Sequence, residues 1–334
     1  MTITRRLALG LPALGLLAGA ALLAAPAAAQ TTGAEGFPNR VVKVVVPYPA
    51  GGPTDAIARF VAEEMGKALG QNAVVENVAG ASGAAGTRQV ARAEPDGYTI
   101  VFGNNQTHGN NMFLMKEPGY DAVKDFAPLA GVGAFEHVFV VPKALPVSSI
   151  KDLVDLARKD PGKLNYGSTG LGSGSHLATE LFMARTGIKM THVPYRGAAP
   201  LVQDLLGGRI DVSNSTLPSV LGQIQAGEVK AIALASPQRN PVVADVPTLR
   251  EQGIANADAE SWAAFFAPVN TPKPILDKLS STIIGILNQP AMRERITKLG
   301  FTLKVRTPDE FRPYHAQEQQ TWAEIIKAAN IKVE

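Results

Sequence analysis

Three loops gather the residue types that can hold a ligand. The first, Pro47-Tyr48-Pro49-Ala50-Gly51-Gly52-Pro53-Thr54-Asp55, lies between a β-branched run ending at Val46 and a stretch of helical spacing that stops at Gly70. Glycine lets backbone approach a ligand, and free N–H groups at a helix N-terminus attract anions. The prolines stiffen the turn and lower the entropy of holding it ready. A second loop, Ser168-Thr169-Gly170-Leu171-Gly172-Ser173-Gly174-Ser175-His176, also runs from a strand into a helix. A third, Gly103-Asn104-Asn105-Gln106-Thr107-His108, follows another strand. Neutral donors at three strand ends suit a ligand in the crevice at the carboxyl edge of an α/β sheet. The plain alternative is a set of tight β–α turns with no ligand.

Other chemistries find little support. In the second loop Ser175 stands where a dinucleotide fingerprint needs its third glycine, and Leu171 and Ser175 flank Ser173 where a nucleophile elbow needs glycines. A hydrolase using Ser168 or Ser173 would need a base that the sequence does not display. The five histidines, His108, His137, His176, His192 and His315, show no metal-ligand spacing, and there is no cysteine to add. No phosphate-binding loop with a G-K-[ST] ending occurs. The expectation is a binding protein with no catalytic residue, no metal and no cofactor.

The elements that must position these loops alternate along the chain. Strand patterns at 41–46, 73–77 and 99–103 are separated by helical stretches at 55–69 and from the small-residue run 80–86 to Pro95. Helices of this length between strands imply parallel pairing and a sheet covered on both faces. The pattern restarts with a strand at 137–141, a helix at 150–158 carrying the capping-box pair Ser149 and Asp152, and strands at 164–168, 190–194, 210–213 and 230–235. Helices are expected at 175–186 and 199–206. After Trp262 and Phe265-Phe266-Ala267-Pro268 come three helical segments, the last opened by Thr307, Pro308 and Glu310. Lone helices are marginal in water, so these should return to cover the first unit.

The chain has 334 residues, 46% hydrophobic and 18% charged, enough for two α/β domains. Residues 1–29 read as a secretory leader: Arg5-Arg6, the uncharged apolar stretch 7–23, and Ala27-Ala28-Ala29 as a small-residue cleavage site. Pro12, Pro26 and the A-x-A ending weigh against a membrane anchor. Thr4-Arg5-Arg6-Leu7 hints at a twin-arginine route beside the general secretory one. Losing Arg5 and Arg6 takes 32 basic residues to 30 against 29 acids, near +1, and no basic stripe for nucleic acid remains. A secreted chain without Cys has no disulfide or N-terminal lipid anchor, so its cores must stabilise it.

At these residues the sequence resembles the Bug (Bordetella uptake gene) type of extracytoplasmic solute receptors of the tripartite tricarboxylate transporter class. The matching stretches run the length of the chain after the leader. They include Val45-Val46-Pro47 with Gly51-Gly52 and Asp55, Val75-Glu76-Asn77, Pro95-Asp96-Gly97-Tyr98-Thr99 and Asp125-Phe126-Ala127-Pro128. Further along are Leu164-Asn165-Tyr166-Gly167-Ser168, His192-Val193-Pro194-Tyr195-Arg196-Gly197, Asp204-Leu205-Leu206-Gly207-Gly208, Asp245-Val246-Pro247-Thr248 and Thr271-Pro272-Lys273-Pro274.

The resemblance implies a type II periplasmic binding fold, two α/β domains joined by two crossing strands. Domain 1 would hold residues 30–136 with 263–334, and domain 2 residues 137–262. A small carboxylated solute would lie in the cleft, gripped as by pincers through backbone N–H groups, hydroxyls and water, with closure by a hinge. Tyr48, Gly51, Gly52, Thr54 and Asp55 fall on one side. Ser168, Thr169, Gly170, Ser173 and His176 fall opposite, with Asn104, Gln106, Thr107 and Tyr195 along the wall. Ser215 stands where members often carry Asp, which disfavours a ligand with a positive amino group, and Ala50 replaces a frequent proline. The implied partners are the solute and the membrane permease subunits of a tripartite tricarboxylate-type transporter, in the periplasm. A different class of role with the same pocket is a sensor that presents its solute to a signalling kinase.

Overall fold

Val42, Val44 and Val46 alternate with Lys43 and Val45 along β1 (Val42–Val46), and each of the three lies fully buried in one apolar layer. Val45 enters the layer on the other side, so β1 is covered on both faces. The computed structural model describes residues 35–328 and 331; the leader at 1–29 lies outside them.

From β1 the chain enters α1 (Pro53–Leu69), β2 (Ala73–Asn77), α2 (Ala84–Ala91) and β3 (Thr99–Asn104). A π-turn at Gln106–Asn110 leads to α3 (Asn111–Leu114), and then to β4 (Phe126–Pro142). Next come α4 (Ile150–Lys159), β5 (Asn165–Ser168), α5 (Gly174–Thr186), β6 (Thr191–Pro194), α6 (Ala198–Leu206), β7 (Val212–Thr216), α7 (Leu217–Gln225) and β8 (Val229–Leu234). The chain then forms β9 (Glu260–Pro268), α8 (Lys273–Asn288), α9 (Pro290–Thr297), β10 (Phe301–Arg306) and α10 (Pro308–Ala328).

The strands run in the order β2-β1-β3-β9-β4-β7-β5-β6, with β8 and β10 also paired to β4. Pairing is parallel for β1 with β2 and β3, and for β5 with β6 and β7, as alternation of strand and helix requires. β4 is the spine. Its first part pairs antiparallel with β9 and β10, and its last residues, from His137, pair with β7 and β8. A second passage lies beside it, where Ala259 N–H donates to Ala235 O just before β9 begins.

Most expected elements appear within a residue or two, and three corrections stand out. The strand expected at 137–141 is the end of a 17-residue strand, whose first part, Phe126–Glu136, pairs with β9 more than a hundred residues away. α7 and the strand β10 were not expected, and the strand expected at 210–213 lies at Val212–Thr216. The C-terminal helices do return: Leu279, Ile283 and Leu287 of α8 join the layer that holds Ile57, Val61 and Met65 of α1. Burying such side chains contributes about 1.5–3 kcal/mol each. Both capping boxes form, Ser149 with Asp152 and Thr307 with Glu310.

Candidate ligand site

Gly51 turns the first loop. Its φ of +87° is a left-handed conformation that glycine adopts freely, and its N–H donates to Asp55 Oδ2 at 3.0 Å. Asp55 is 4% exposed and acts as a hub. Arg59 Nε donates to Oδ2 at 3.0 Å and Asn77 Nδ2 to Oδ1 at 2.9 Å, while Asn77 also donates to Tyr48 O. Burial opposes ionisation of this carboxyl, but Arg59, the Gly51 N–H and Asn77 together hold its pKa below the usual value. Asp55 was expected on the ligand side; its two oxygens are instead committed to the loop itself. The N–H groups of Gly52, Thr54 and Asp55 at the start of the 17-residue helix α1 have no protein partner among the described residues.

The second loop is braced by hydroxyls and imidazoles. Thr169 N–H donates to Ser175 Oγ at 3.0 Å, Ser173 Oγ donates to Gly170 O at 2.7 Å, and Gly172 N–H donates to His176 Nδ1 at 3.1 Å. Ser173 is the N-cap of α5, accepting from His176 N–H. The N–H groups of Gly174 and Ser175 lack a protein partner among the described residues. Gly174 is required by close approach: a Cβ there would fall 2.0 Å from Ser261 Oγ and 2.9 Å from His137 Nε2, at the crossing between β4 and β9.

The loops close into a ring. Tyr48 Oη donates to Asn104 Oδ1 at 2.7 Å and lies 3.3 Å from Gln106 Oε1. Burial pushes the Tyr48 pKa up, so it stays a donor. Gln106 Nε2 donates at 3.1 Å to Leu171 O, which also accepts from Ser82 Oγ at 3.1 Å. Gly170 lies against Tyr195 O, and Gly197 against Pro49 Cγ, with ideal-Cβ separations of 3.4 and 3.8 Å. Pro49 returns the circuit to Tyr48. Within the loops 47–55, 104–107, 168–176 and 195–198, Arg196 is the one lysine or arginine and is exposed. The ring therefore offers neutral donors and two helix N-termini, groups that favour an anion without a cation beside them. Two surface depressions of about 430 and 320 Å3 lie elsewhere, one lined by Met112, Phe113, Tyr120 and Gln319 and the other by Arg158, Gly187 and Lys189.

The structure thus brings Tyr48, Gly51, Gly52, Thr54, Asn104, Gln106, Ser168, Thr169, Gly170, Ser173 and Tyr195 into one circuit, but several side chains face inward on the protein. Thr107 Oγ1 accepts from Asn104 N–H at 3.1 Å and holds the π-turn. The Tyr195 hydroxyl donates to Asp204 at 2.8 Å, leaving its ring and backbone to the wall. Ser215 is fully buried, 2.8 Å from Ser213 Oγ. His176 braces Gly172. Sequence reasoning missed His192, whose Nε2 lies 2.6 Å from Ser168 Oγ; the signal was its place in the His192-Val193-Pro194-Tyr195 stretch. That pair supplies a base beside Ser168, yet Ser168 is fully buried and its hydroxyl also bonds Gly170 on both sides. This is a structural serine.

The profile of the family described as tripartite tricarboxylate transporter family receptor matches residues 57–331. The chain belongs to this family. It is 34% identical to Protein BugT of Bordetella pertussis over 334 residues, covering all of both chains. It is also 34% identical to a protein encoded between tcbD and tcbE in Pseudomonas sp. over 312 residues, 93% of each chain. Among solved structures, an R. palustris protein with adipate shares 34% identity at a TM-score of 0.86, covering 89% of this chain and all of the other. The periplasmic binding protein BugD shares 35% at 0.84 with the same coverage. MatC from Rhodopseudomonas palustris with bound malate shares 34% at 0.82, covering 87% of this chain and all of the other. The receptor is thus a solute-binding protein with the α/β fold of periplasmic binding proteins, and its family and neighbours are not enzymes.

Proposed function

We propose that this receptor captures a small carboxylate in the periplasm and delivers it to the permease subunits of a tripartite tricarboxylate-type transporter. The observation that carries the reading is the pair of helix N-termini, at Gly52–Asp55 and Gly174–Ser175, whose N–H groups lack protein partners among the described residues and whose loops meet through Gln106 and Leu171. Each can offer two or more N–H donors to a carboxylate, and neither needs a cation beside it. The Tyr48, Thr54, Thr169 and Ser173 hydroxyls and the Asn104 and Gln106 amides are polar side-chain groups of the loops around these termini. The solved relatives with adipate and with malate support a dicarboxylate as the first class to try.

Residues 30–136 with 263–334 and residues 137–262 serve in this reading as two domains that close by rotation at the crossings near His137 and Trp262. The leader at 1–29 directs export and is cleaved. Native mass spectrometry of protein taken from the periplasm, followed by a thermal-shift panel of mono-, di- and tricarboxylates including adipate and malate, tests the ligand. A raised unfolding temperature with a dicarboxylate is expected; a flat panel with a clean apo mass overturns the carboxylate reading. Small-angle scattering at saturating ligand tests closure, and co-purification with the permease subunits tests delivery.

A further inference from the structure

Two imidazoles lie flat on one another beneath the second loop. The rings of His176 and His192 are 4.1 Å apart and inclined by 11°, and Tyr166 continues the pile at 4.8 Å from His192. Each imidazole holds one end of the same five-residue arch. His192 Nε2 lies 2.6 Å from Ser168 Oγ, which in turn accepts from Gly170 N–H at 3.2 Å. His176 Nδ1 accepts from Gly172 N–H at 3.1 Å. Between these two tethers sits Leu171, whose carbonyl receives Gln106 and Ser82 from the other side of the ring.

We propose that the His176–His192 stack positions the arch Ser168–Gly172 for ligand capture, each ring acting through one nitrogen. Because the Gly172 N–H can only donate, His176 Nδ1 must keep its lone pair, so the proton sits on Nε2. The groups facing His176 are consistent with a neutral ring. Glu180, one turn along α5, lies 3.9 Å from Nε2 and accepts the Tyr166 hydroxyl from β5. His192 comes from β6, His137 of β4 lies under Gly174 at the head of α5, and β7 presents no titratable residue. α10 meets α5 through Leu177, Ala178 and Leu181. Burial first, and then His192, push His176 down to about 3, and burial pushes His192 down to about 4. The tethers should therefore hold unchanged from pH 8 to pH 5.

This inference rests on the receptor reading for its affinity arm alone. An asparagine places its amide oxygen near the imidazole Nδ1 position, and a glutamine reaches the Nε2 position. H176N should thus keep adipate affinity within about threefold of wild type, whereas H176Q and H176F should lose about tenfold or more, the worth of one hydrogen bond. At position 192 the pattern reverses: H192Q rescues and H192N does not. Without ligand, hydrogen exchange at the Gly172 amide should be slow in wild type and H176N, and about tenfold faster in H176Q and H176F. Long-range 1H–15N NMR should find His176 protonated at Nε2 only. A His176 ring protonated at Nδ1, or Gly172 exchange that is the same in all four proteins, overturns the proposal. Failure of the wild type to bind adipate counts against the ligand class and leaves the amide and ring readouts to decide this one.

Discussion

The two loops that face each other are built on opposite principles. The first is pinned by one ion, Asp55, which gathers the Gly51 N–H, Arg59 and Asn77 around a single carboxylate. The second is pinned by uncharged groups, three serines and two imidazoles, with no carboxylate on the arch. The difference teaches how a helix N-terminus can be left open to an anion. On the first side the acid is turned under the helix and neutralised by Arg59, so it competes little with a ligand. On the second side there is no acid to neutralise, and hydroxyls do the bracing.

Acid should separate the two sides most strongly. For a histidine held neutral by the fold, the unfolded chain binds more protons between the unfolded value of 6.5 and the folded value. Its contribution is complete above 6.5 and is lost as pH falls towards the folded value. His176 and His192, with His137 pushed down by burial to about 4, then cost about 2 kcal/mol each at pH 5 relative to pH 7. The Glu180 carboxyl, raised chiefly by burial, works in the opposite direction and offsets part of this. Asp55 is depressed, so its contribution survives until pH falls below 3.8. Urea unfolding at pH 7, 6 and 5 should show falling stability; constant stability would mean the imidazoles are accessible to water. Below pH 5, where the rings of His176 and His192 begin to take up protons, the second loop should lose hydrogen-exchange protection before the first.

Removing the hub comes next. Asp55→Ala should cost about 2 kcal/mol of unfolding free energy, less than a fully buried pair because Arg59 is half exposed, and should weaken adipate binding with it. Asp55→Asn keeps an oxygen for Gly51 and should recover part of the stability. Equal losses in the two variants would show that charge, rather than the turn, is what matters.

Gly52→Leu should spare stability to within about 0.5 kcal/mol, since φ is an ordinary −83° and the nearest atom to an added Cβ is Pro49 O at 3.9 Å. It should still reduce adipate affinity by about 100-fold, as the side chain grows into the ring. Unchanged affinity by calorimetry would remove the first loop from the site. The smallest effect belongs to Ser82→Ala, which deletes one of two donors to Leu171 O. A loss near 1 kcal/mol, about fivefold in affinity, is expected. A larger loss would mean that Gln106 cannot hold Leu171 alone.

Local rules account for what the sequence by itself determined. The β-branched run at β1, the helix stop at Gly70 and the two capping boxes depend on neighbours within a few residues, so they could be read directly. The three loops were legible because glycine, proline and small polar residues cluster at strand ends, and the family motifs named the fold. Only the tertiary structure decided what each polar group does. Asp55, Thr107, Tyr195 and Ser215 carry the chemistry of ligand contacts, yet each finds a partner within the protein once the chain folds. His192 came into play because β5 and β6 pair in a register that sets it beside Tyr166, within reach of Ser168. The first half of β4 took shape the same way, through β9, more than a hundred residues away. Hydrogen-bond partners of this kind are set by long-range pairing, and no local pattern of residue types contains them.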